Sequence, residues 1–569
     1  MKKFTLGKPE KYVPSKFCDK FNYIETDVSY SETNFKYKKT AAGFVIEFPM
    51  EDDTQIFGFG LQLMQFNHSG AKLKLSVNSD PVSKNGDSHA PVPFFVTNKG
   101  YGMYFDTARY IDCYCGKQKK ESKANRQVIE GGGTSEQELY KIRKEEDVVM
   151  SVLIPAAEGI DIYVIEGDSI TDIVKQYNML SGGGCDVPEW GFGMLYRCYT
   201  NWGEEQIKAT ADYFLFAEIP CDIIGIEPGW QTRKYPCSFH WNLEKFPHPQ
   251  EFIDDLIEKG FHVNLWEHAY THSESCLHEP LIPYAGDYLV WGGLVPDFAT
   301  PEAKKIFADY HREIVAMGID GFKLDECDSG DYKGSWGFPL LSEFPSGLDG
   351  EQYHSLFGVL YAKTILEALD GKETYSQVRQ MGALASSYPF VLYSDLYNPR
   401  EFVRGVVNSG FSGLLWSPEV RSCKTKEDCI RRIQIVVFSA QCLVNAWNYD
   451  GIPWVIHESE EEVRELFSLR YQLIPRLKTA FEDYKTTGKP PIRALVMDYT
   501  NDQETYIIDD QWLFCDDLLV APILPGQNDE RDLYLPVGSK WVDYYTEEPV
   551  ESGWIHVNTK DIPVYRRVD

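Results

Sequence analysis

The middle of the chain alternates short apolar runs with longer amphipathic patterns. Runs such as IPCDIIGI, HVNLW, GFKLDE and QCLVNAW have the length and composition of buried strands. Between them lie helical patterns such as PQEFIDDLIEKG and PEAKKIFADYHREIVAMG. This alternation predicts a parallel sheet with helices outside it, and its extent over residues 184–490 favours a (β/α)8 TIM barrel. A doubly wound open sheet is the alternative, but no GxGxxG or GxxxxGKS/T run follows any strand.

The two ends of the chain have a different pattern. Residues 1–183 contain short alternating runs, among them FVIEF, KLKLSV and YGMYF, separated by Gly, Asn, Asp and Pro clusters. They predict an N-terminal β-sandwich, which ends near the SGGG run at residues 181–184. Residues 491–569 return to short strands such as LLVAPIL and IPVYRR and predict a small C-terminal β-domain. We therefore expect an α/β protein with a barrel between two β-domains.

Charge narrows the range of partners. The chain has 56 basic and 86 acidic residues and a formal net charge of −30. Such a surface repels phosphate backbones and anionic lipids, so we expect neither a nucleic-acid nor a membrane partner. The N-terminus lacks the apolar run of a secretory signal, and the thirteen cysteines lack CxxC spacing. These features favour a reduced, cytoplasmic protein and leave a homo-oligomer open.

An acidic cluster follows the strand pattern GFKL at residues 321–324. The stretch GIDGFKLDECDSG contains Asp320, Asp325, Glu326 and Asp328. Active sites of β/α barrels lie at the carboxyl ends of the strands, so Asp325 is expected at the mouth. Strand alternation places Lys323 on the same inward face, where its charge favours ionised Asp325. A fixed, ionised carboxylate suits a glycosidase nucleophile. A solvated loop and a calcium site are the alternatives, but the EF-hand spacing is absent.

A second candidate carboxylate follows the strand-like run GLLW at residues 413–416. Glu419 lies just past its end, in WSPE. Trp416 is expected to form a wall for a sugar ring and to raise the pKa of Glu419 by excluding water, as a general acid requires. Arg404 and Arg421 would lower that pKa instead. We predict that Asp325 and Glu419 meet across one sugar-sized hollow.

The same mixture of aromatic and acidic residues recurs at other strand ends. Aromatic rings stack on the apolar faces of sugars, and carboxylates accept hydrogen bonds from their hydroxyls. The recurrence indicates a neutral, polyhydroxylated ligand. The residues concerned are Glu227, Trp230, Trp266, Glu267, His268 and Asp395.

Several longer segments resemble glycoside hydrolase family 31, the retaining α-glycosidases that include α-glucosidases, α-xylosidases and α-galactosidases. They include FGFGLQLMQFNHSG, WNLEKFPHPQEFIDDLIEKGFHVNLW, LRYQLIPRL and DDQWLFCDDLLVAPIL. The resemblance implies an exo-acting enzyme that takes an oligosaccharide or α-glycoside and hydrolyses it by double displacement. It implies no metal or organic cofactor. Residue by residue, it assigns the nucleophile to Asp325 and sugar contacts to Lys323, Trp266, Arg404, Trp416 and Asp80.

The chain also departs from the family pattern around the sugar. Glu419 stands where the family usually has an aspartate, and Glu227 stands where an aspartate holds the 4-hydroxyl. A late family histidine has no match in VNAWNYDGIPW, where Asn445 is the candidate contact. The change at Glu227 favours α-galactose over α-glucose. An α-glucosidase or α-xylosidase, a non-catalytic carbohydrate-binding relative, and a lyase or transglycosylase are the alternatives.

Overall fold

The computed structural model describes residues 1–119, 147–330 and 336–569. Its first ten strands form two five-stranded antiparallel sheets around one apolar core. Phe48 of one sheet and Phe95 of the other lie across this core with ring centroids 6.3 Å apart. The alternating patterns thus form the predicted sandwich. Its strands are β1 Lys2–Lys8, β2 Lys36–Thr40, β3 Gly43–Met50, β4 Ile56–Gly60, β5 Lys72–Lys74, β6 Pro91–Thr97, β7 Tyr101–Asp106, β8 Asp112–Lys119, β9 Asp147–Pro155 and β10 Glu158–Glu166.

Seven parallel strands form the central sheet. They pair in the order β16-β15-β14-β13-β12-β11-β17, so neighbours in sequence are neighbours in space except at β17, which pairs with β11. All the residues of the short strand β11 are buried, which explains why these strands read as continuous apolar runs. The strands are β11 Met194–Arg197, β12 Ile223–Ile226, β13 His262–Glu267, β14 Ile319–Leu324, β15 Ser376–Val378, β16 Phe390–Leu392 and β17 Cys442–Asn445.

An irregular segment, residues 415–420, closes this sheet into a ring. The amide of Leu392 in β16 donates to the carbonyl of Leu415 at 2.9 Å. The amide of Asn445 in β17 donates to the carbonyl of Val420 at 2.7 Å. The segment therefore occupies the place of an eighth strand, and the predicted (β/α)8 barrel is confirmed. It also carries Glu419 into the ring.

Helices separate the barrel strands and cover them. The helix before β14 shows how the sequence sets their bounds. Thr300 accepts a hydrogen bond from the amide of Ala303, and Pro301 occupies the first turn, where it needs no amide hydrogen. The helices are Pro14–Phe17, Ile170–Met179, Glu204–Phe216, Pro249–Glu258, His278–Leu281, Pro301–Ala316, Gly350–Leu369, Pro399–Ser409, Lys426–Val437, Pro453–Ile456, Glu460–Thr487 and Leu495–Asp498.

The C-terminal region is again antiparallel sheet. Six strands pair in the order β18-β19-β20-β25-β22-β23, and β21 pairs with β24. Trp512 is fully buried and donates its indole N–H to the carbonyl of Phe438 at 3.1 Å, which fastens this region to the barrel. Across the described residues, every helix is too short or too polar to span a lipid bilayer. The strands are β18 Ile492–Ala494, β19 Trp512–Phe514, β20 Leu518–Val520, β21 Glu530–Leu535, β22 Trp541–Asp543, β23 Pro549–Val550, β24 Gly553–Asn558 and β25 Val564–Arg567.

Candidate active site

Asp325 directly follows β14 and is held by three donors. The indole N–H of Trp266 donates to its Oδ2 at 2.6 Å, and the amide of Glu326 donates to its Oδ1 at 2.9 Å. The guanidinium of Arg379 lies 3.4 Å from the same Oδ1. Burial raises the pKa of Asp325, whereas the charges of Arg379 and Lys323 oppose that shift. The three donors fix the direction of the carboxylate, and they oppose but do not reverse the rise that burial causes in its pKa.

Lys323 lies inside the barrel and binds Glu227. Its Nζ is 3.2 Å and 3.3 Å from the two carboxylate oxygens of Glu227. Arg197, at the end of β11, also donates to Glu227 and extends to Asn264 at 2.7 Å. Glu227 is 3% exposed, so its charge is compensated by two cations rather than by water. This arrangement fixes Glu227 beneath the mouth of the barrel.

Glu419 lies in the ring-closing segment and is 2% exposed. Asn445 donates a side-chain hydrogen bond to its Oε2, and Nε of Arg421 lies 3.4 Å from Oε1. Burial raises the pKa of Glu419 to about 8. The positive charge of Arg421 opposes this rise, and the negative charge of Asp395 adds to it. A carboxyl group with this pKa keeps its proton at neutral pH and is able to donate it.

A chain of contacts joins the two carboxyl groups. Arg379, which contacts Asp325, also donates to Asp395 Oδ2 at 2.6 Å. Arg421, which contacts Glu419, donates to the backbone carbonyl of Asp395 at 2.7 Å. Asp395 follows β16 by three residues, between the strand that precedes Arg379 and the segment that carries Glu419. The two carboxyl groups therefore lie at one end of the barrel in a shared electrostatic environment.

The sandwich reaches this network through His89. His89 is fully buried, with Nδ1 2.7 Å from Asp328 Oδ2 and Nε2 2.7 Å from the hydroxyl of Ser394. Asp328 in turn lies 3.2 Å from Nε of Arg379. Burial alone would raise the pKa of Asp328, but Arg379 and His89 together lower it. Sequence reasoning missed His89, because one histidine in an irregular loop carries no periodic signal.

Asp80, the predicted contribution of the sandwich, has a different position. It is exposed, and its amide donates to Asn78 Oδ1 at 3.0 Å within its own loop. Within the described residues, its carboxylate accepts one hydrogen bond, from the hydroxyl of Ser79 in that loop. The nearby loop residue Val77 approaches Gly330, so the loop lies beside the segment that follows Asp325. The prediction that Asp80 binds sugar gains no support from these contacts.

The prediction for Arg404 also lacks support. Its Nε donates to Asp509 at 2.7 Å, and its NH1 donates to the carbonyl of Leu63 at 2.8 Å. Arg404 thus joins the barrel to the C-terminal region and the sandwich. The arginine that contacts Asp325 is Arg379, which directly follows β15. The strand-end rule that selected Asp325 would have selected Arg379 too, had β15 been recognised.

Two predicted sugar-contacting tryptophans have structural contacts instead. Trp416 is 1% exposed and donates its indole N–H at 3.1 Å to the carbonyl of Phe402, in the helix that covers this part of the barrel. Its ring therefore faces outward, away from the barrel interior. Trp230 is fully buried and donates to the backbone carbonyl of Trp266 at 2.7 Å. Trp230 supports the residue that holds Asp325, and Asn445 supports Glu419.

A buried acid with a raised pKa and a second, hydrogen-bonded carboxylate at the end of a β/α barrel define the kind of site that glycosidases use. Residues 185–480 match the TIM-barrel domain of the glycosyl hydrolases family 31, and residues 488–569 match the C-terminal domain of that family. The chain belongs to glycosyl hydrolase family 31.

Known relatives span several activities. The chain is similar to alpha-glucosidase 2 of Bacillus thermoamyloliquefaciens, with 26% identity over 72% of this chain and 56% of the relative. It is also similar to an alpha-xylosidase of Saccharolobus solfataricus, with 23% identity over 92% of this chain and 70% of the relative. A solved GH31 dextranase of Flavobacterium johnsoniae in complex with glucose shares the fold, with a TM-score of 0.80 and 21% identity. That match covers 95% of this chain and 68% of the dextranase chain. The chain spans just over half the length of the alpha-glucosidase.

Proposed function

We propose that the protein is a retaining, exo-acting α-glycoside hydrolase with Asp325 as nucleophile and Glu419 as general acid and base. The observation that carries this proposal is the contact network that joins two buried carboxyl groups in different surroundings. Asp325 accepts hydrogen bonds from Trp266 and from the Glu326 amide, and the charges of Arg379 and Lys323 oppose the rise that burial causes in its pKa. Burial raises the pKa of Glu419 to about 8, which suits a proton donor, whereas the donors around Asp325 suit a nucleophile.

The reaction proceeds in two displacements. In the first, a carboxylate oxygen of Asp325 attacks the anomeric carbon while the bond to the leaving oxygen breaks and Glu419 donates its proton to that oxygen. In the second, Glu419 removes a proton from water, whose oxygen attacks the anomeric carbon and releases Asp325. The second step returns both residues to their starting states: Asp325 is again a free carboxylate, and Glu419 again carries its proton. Lys323 and Arg379 offset the negative charge of Asp325 before attack and after release.

The sugar is proposed from the relatives and from Glu227. The relatives named above include enzymes on glucosides and xylosides, so we infer a terminal α-linked glucose or xylose as the first candidate. The galactose preference predicted from Glu227 has no counterpart among those names. Glu227 remains the observation that favours an axial 4-hydroxyl, because it adds one methylene to the side chain expected there. A panel of nitrophenyl α-glucoside, α-xyloside and α-galactoside separates these candidates.

Replacing Asp325 by Asn tests the nucleophile. We expect turnover to fall by a factor on the order of 10⁴ or more, because the amide forms no glycosyl ester. The assay is hydrolysis of the nitrophenyl panel, with the ester trapped on the unmodified protein by a 5-fluoroglycosyl fluoride and located by mass spectrometry.

The matched control is Asp320→Asn. Asp320 lies at the opposite end of the same strand, where it binds Lys372 and His262. This variant is expected to hydrolyse the panel nearly as fast as the unmodified protein. Near-normal turnover by the Asp325 variant, or an ester found on another residue, would contradict the proposal. Sugar binding without hydrolysis would establish the non-catalytic alternative.

A further inference from the structure

A continuous series of aromatic rings leads from Asp325 to the surface. Trp266 contacts Asp325 through its indole N–H. The ring of Tyr235 lies 5.6 Å from that of Trp266, and Trp291 lies 4.9 Å from Tyr235. Trp336 completes the series at 5.4 Å from Trp291. We call these four residues the aromatic rim.

The inner end of the aromatic rim is buried, Trp291 is half-buried, and Tyr235 and Trp336 reach solvent. Trp266 is 1% exposed, whereas Tyr235 is 47% exposed and Trp336 is 51% exposed. A contiguous group of exposed aromatic side chains indicates a ligand-binding surface, and the rim adjoins a buried carboxylate. Asp325 is itself only 7% exposed. A sugar at Asp325 therefore fills the buried end, and the rest of the substrate has to extend toward solvent.

The outer part of the rim is rigidly built. Trp291 has a φ of +51°, in the left-handed region, and sits in a tight turn closed by two hydrogen bonds between Val290 and Gly293. A Cβ added to Gly293 would lie 2.5 Å from Pro236, so the turn packs closely against the residue next to Tyr235. Glu326, beside Asp325, also has a positive φ of +58°. Strained backbone of this kind concentrates at ligand-binding sites.

We propose that the aromatic rim is the leaving-group subsite, which stacks a ring with an apolar face as that ring departs from the anomeric carbon. The chemical class is a pyranose ring or an aryl aglycone, both of which present a flat apolar face to an indole. This inference rests on the proposed function, because it takes Asp325 as the nucleophile. It adds a preference for what is attached to the terminal sugar.

The variant Trp336→Ala tests the subsite at its exposed end, where truncation leaves no cavity in the core. The substrates are the 4-nitrophenyl glycosides and the glycosyl fluorides of α-glucose, α-xylose and α-galactose. Maltose and melibiose are added as substrates whose leaving group is a sugar. Fluoride is too small to reach the rim, so the fluorides report on the sugar site alone. We expect the ratio of kcat/KM for a ring-bearing substrate to kcat/KM for the fluoride to fall about tenfold.

Trp554→Ala is the matched control. Trp554 is 53% exposed and lies in β24 of the C-terminal region, where its indole N–H donates to Glu504. This variant should leave the ratio unchanged. A fall in this ratio for maltose or melibiose alone identifies a sugar ring as the ligand of the rim. A fall for the nitrophenyl glycosides alone identifies an aryl aglycone. Either result supports the subsite.

Two outcomes would overturn the subsite. In the first, Trp336→Ala leaves the ratio of kcat/KM values unchanged. In the second, the ratio falls as much in Trp554→Ala as in Trp336→Ala. Failure of the proposed function looks different, because the unmodified protein would then release no fluoride from any of the three glycosyl fluorides. The two failures are therefore distinguishable within one set of assays.

Discussion

Replacing Glu419 by Gln changes both activity and stability, and the two effects have opposite signs. With a pKa of about 8, Glu419 carries its proton in roughly nine tenths of the molecules at pH 7. A glutamate with the ordinary pKa would carry it in about 0.3% of them. The amide has no proton to donate, so hydrolysis of glycosides with poor leaving groups should fall by about 10²–10⁴-fold. Activated aryl glycosides, which need little protonation, should lose far less in the first step.

The stability effect follows from the same pKa. A carboxyl group whose folded pKa is raised binds its proton more tightly in the folded state. The free energy of unfolding is therefore highest below pH 4.5 and falls as pH rises toward 8. At about 1.4 kcal/mol per pH unit, the loss between pH 4.5 and pH 7 is roughly 3 kcal/mol. The Glu419→Gln variant has no such loss and should unfold at a higher temperature than the unmodified protein at pH 7–8.

The assay is the apparent Tm at a fixed scan rate from pH 4.5 to pH 9, together with rates on activated and unactivated glycosides. Asp498→Asn provides a control of opposite sign. Burial alone would raise the pKa of Asp498, but Arg493, 2.9 Å away, lowers it to about 2. The ionised form of Asp498 therefore stabilises the fold above pH 3.8, and the Asn variant should have a lower Tm at neutral pH.

Either of two results would refute the reasoning about Glu419. The first is a Glu419→Gln variant whose Tm relative to the unmodified protein is the same at pH 5 and at pH 8. That result would mean that burial does not raise this pKa. The second is an equal loss of rate on activated and unactivated glycosides, which would remove Glu419 from the role of acid.

Two further predictions concern the groups that surround the carboxyl pair. His89→Ala should lower kcat about tenfold with a smaller effect on KM, because Asp328, which holds Arg379, loses its histidine partner. The acidic limb of the pH–rate profile should shift as well, and His89→Asn should restore part of kcat. A profile that keeps its acidic limb in His89→Ala would contradict the positioning role. Glu227→Asp should change the ratio of galactoside to glucoside hydrolysis, because the shorter carboxylate draws away from Arg197 and Lys323. Equal losses of rate on both sugars would show that Glu227 does not determine which sugar is cleaved.

The parts of the fold with long, regular patterns were predictable from sequence. The helix Pro301–Ala316 and the strand β14 both follow from apolar periodicity, and the barrel follows from their repetition. The ring-closing segment was harder, because it pairs only at residues such as Leu415 and Val420 and lacks strand length. Its role as an eighth strand depends on closure, a property of the whole sheet that no local pattern contains.

The site was predictable where side chains follow recognisable strands. Asp325 and Lys323 follow from alternation along β14. The direction of the Trp416 side chain was not predictable, because the ring-closing segment does not keep a regular alternation. The indole of Trp416 turns toward Phe402. Arg379 follows a strand of three residues, which is too short to recognise. Long-range partners such as His89 become neighbours of the site only when the sandwich packs on the barrel.

The hydrogen bond between His89 and Asp328 makes the catalytic end of the barrel dependent on a different part of the chain. A barrel separated from its sandwich would leave Asp328 without its histidine partner, and Asp328 is one of the carboxylates that hold Arg379 beside Asp325. The N-terminal region thus supplies part of the network around Asp325, the proposed nucleophile.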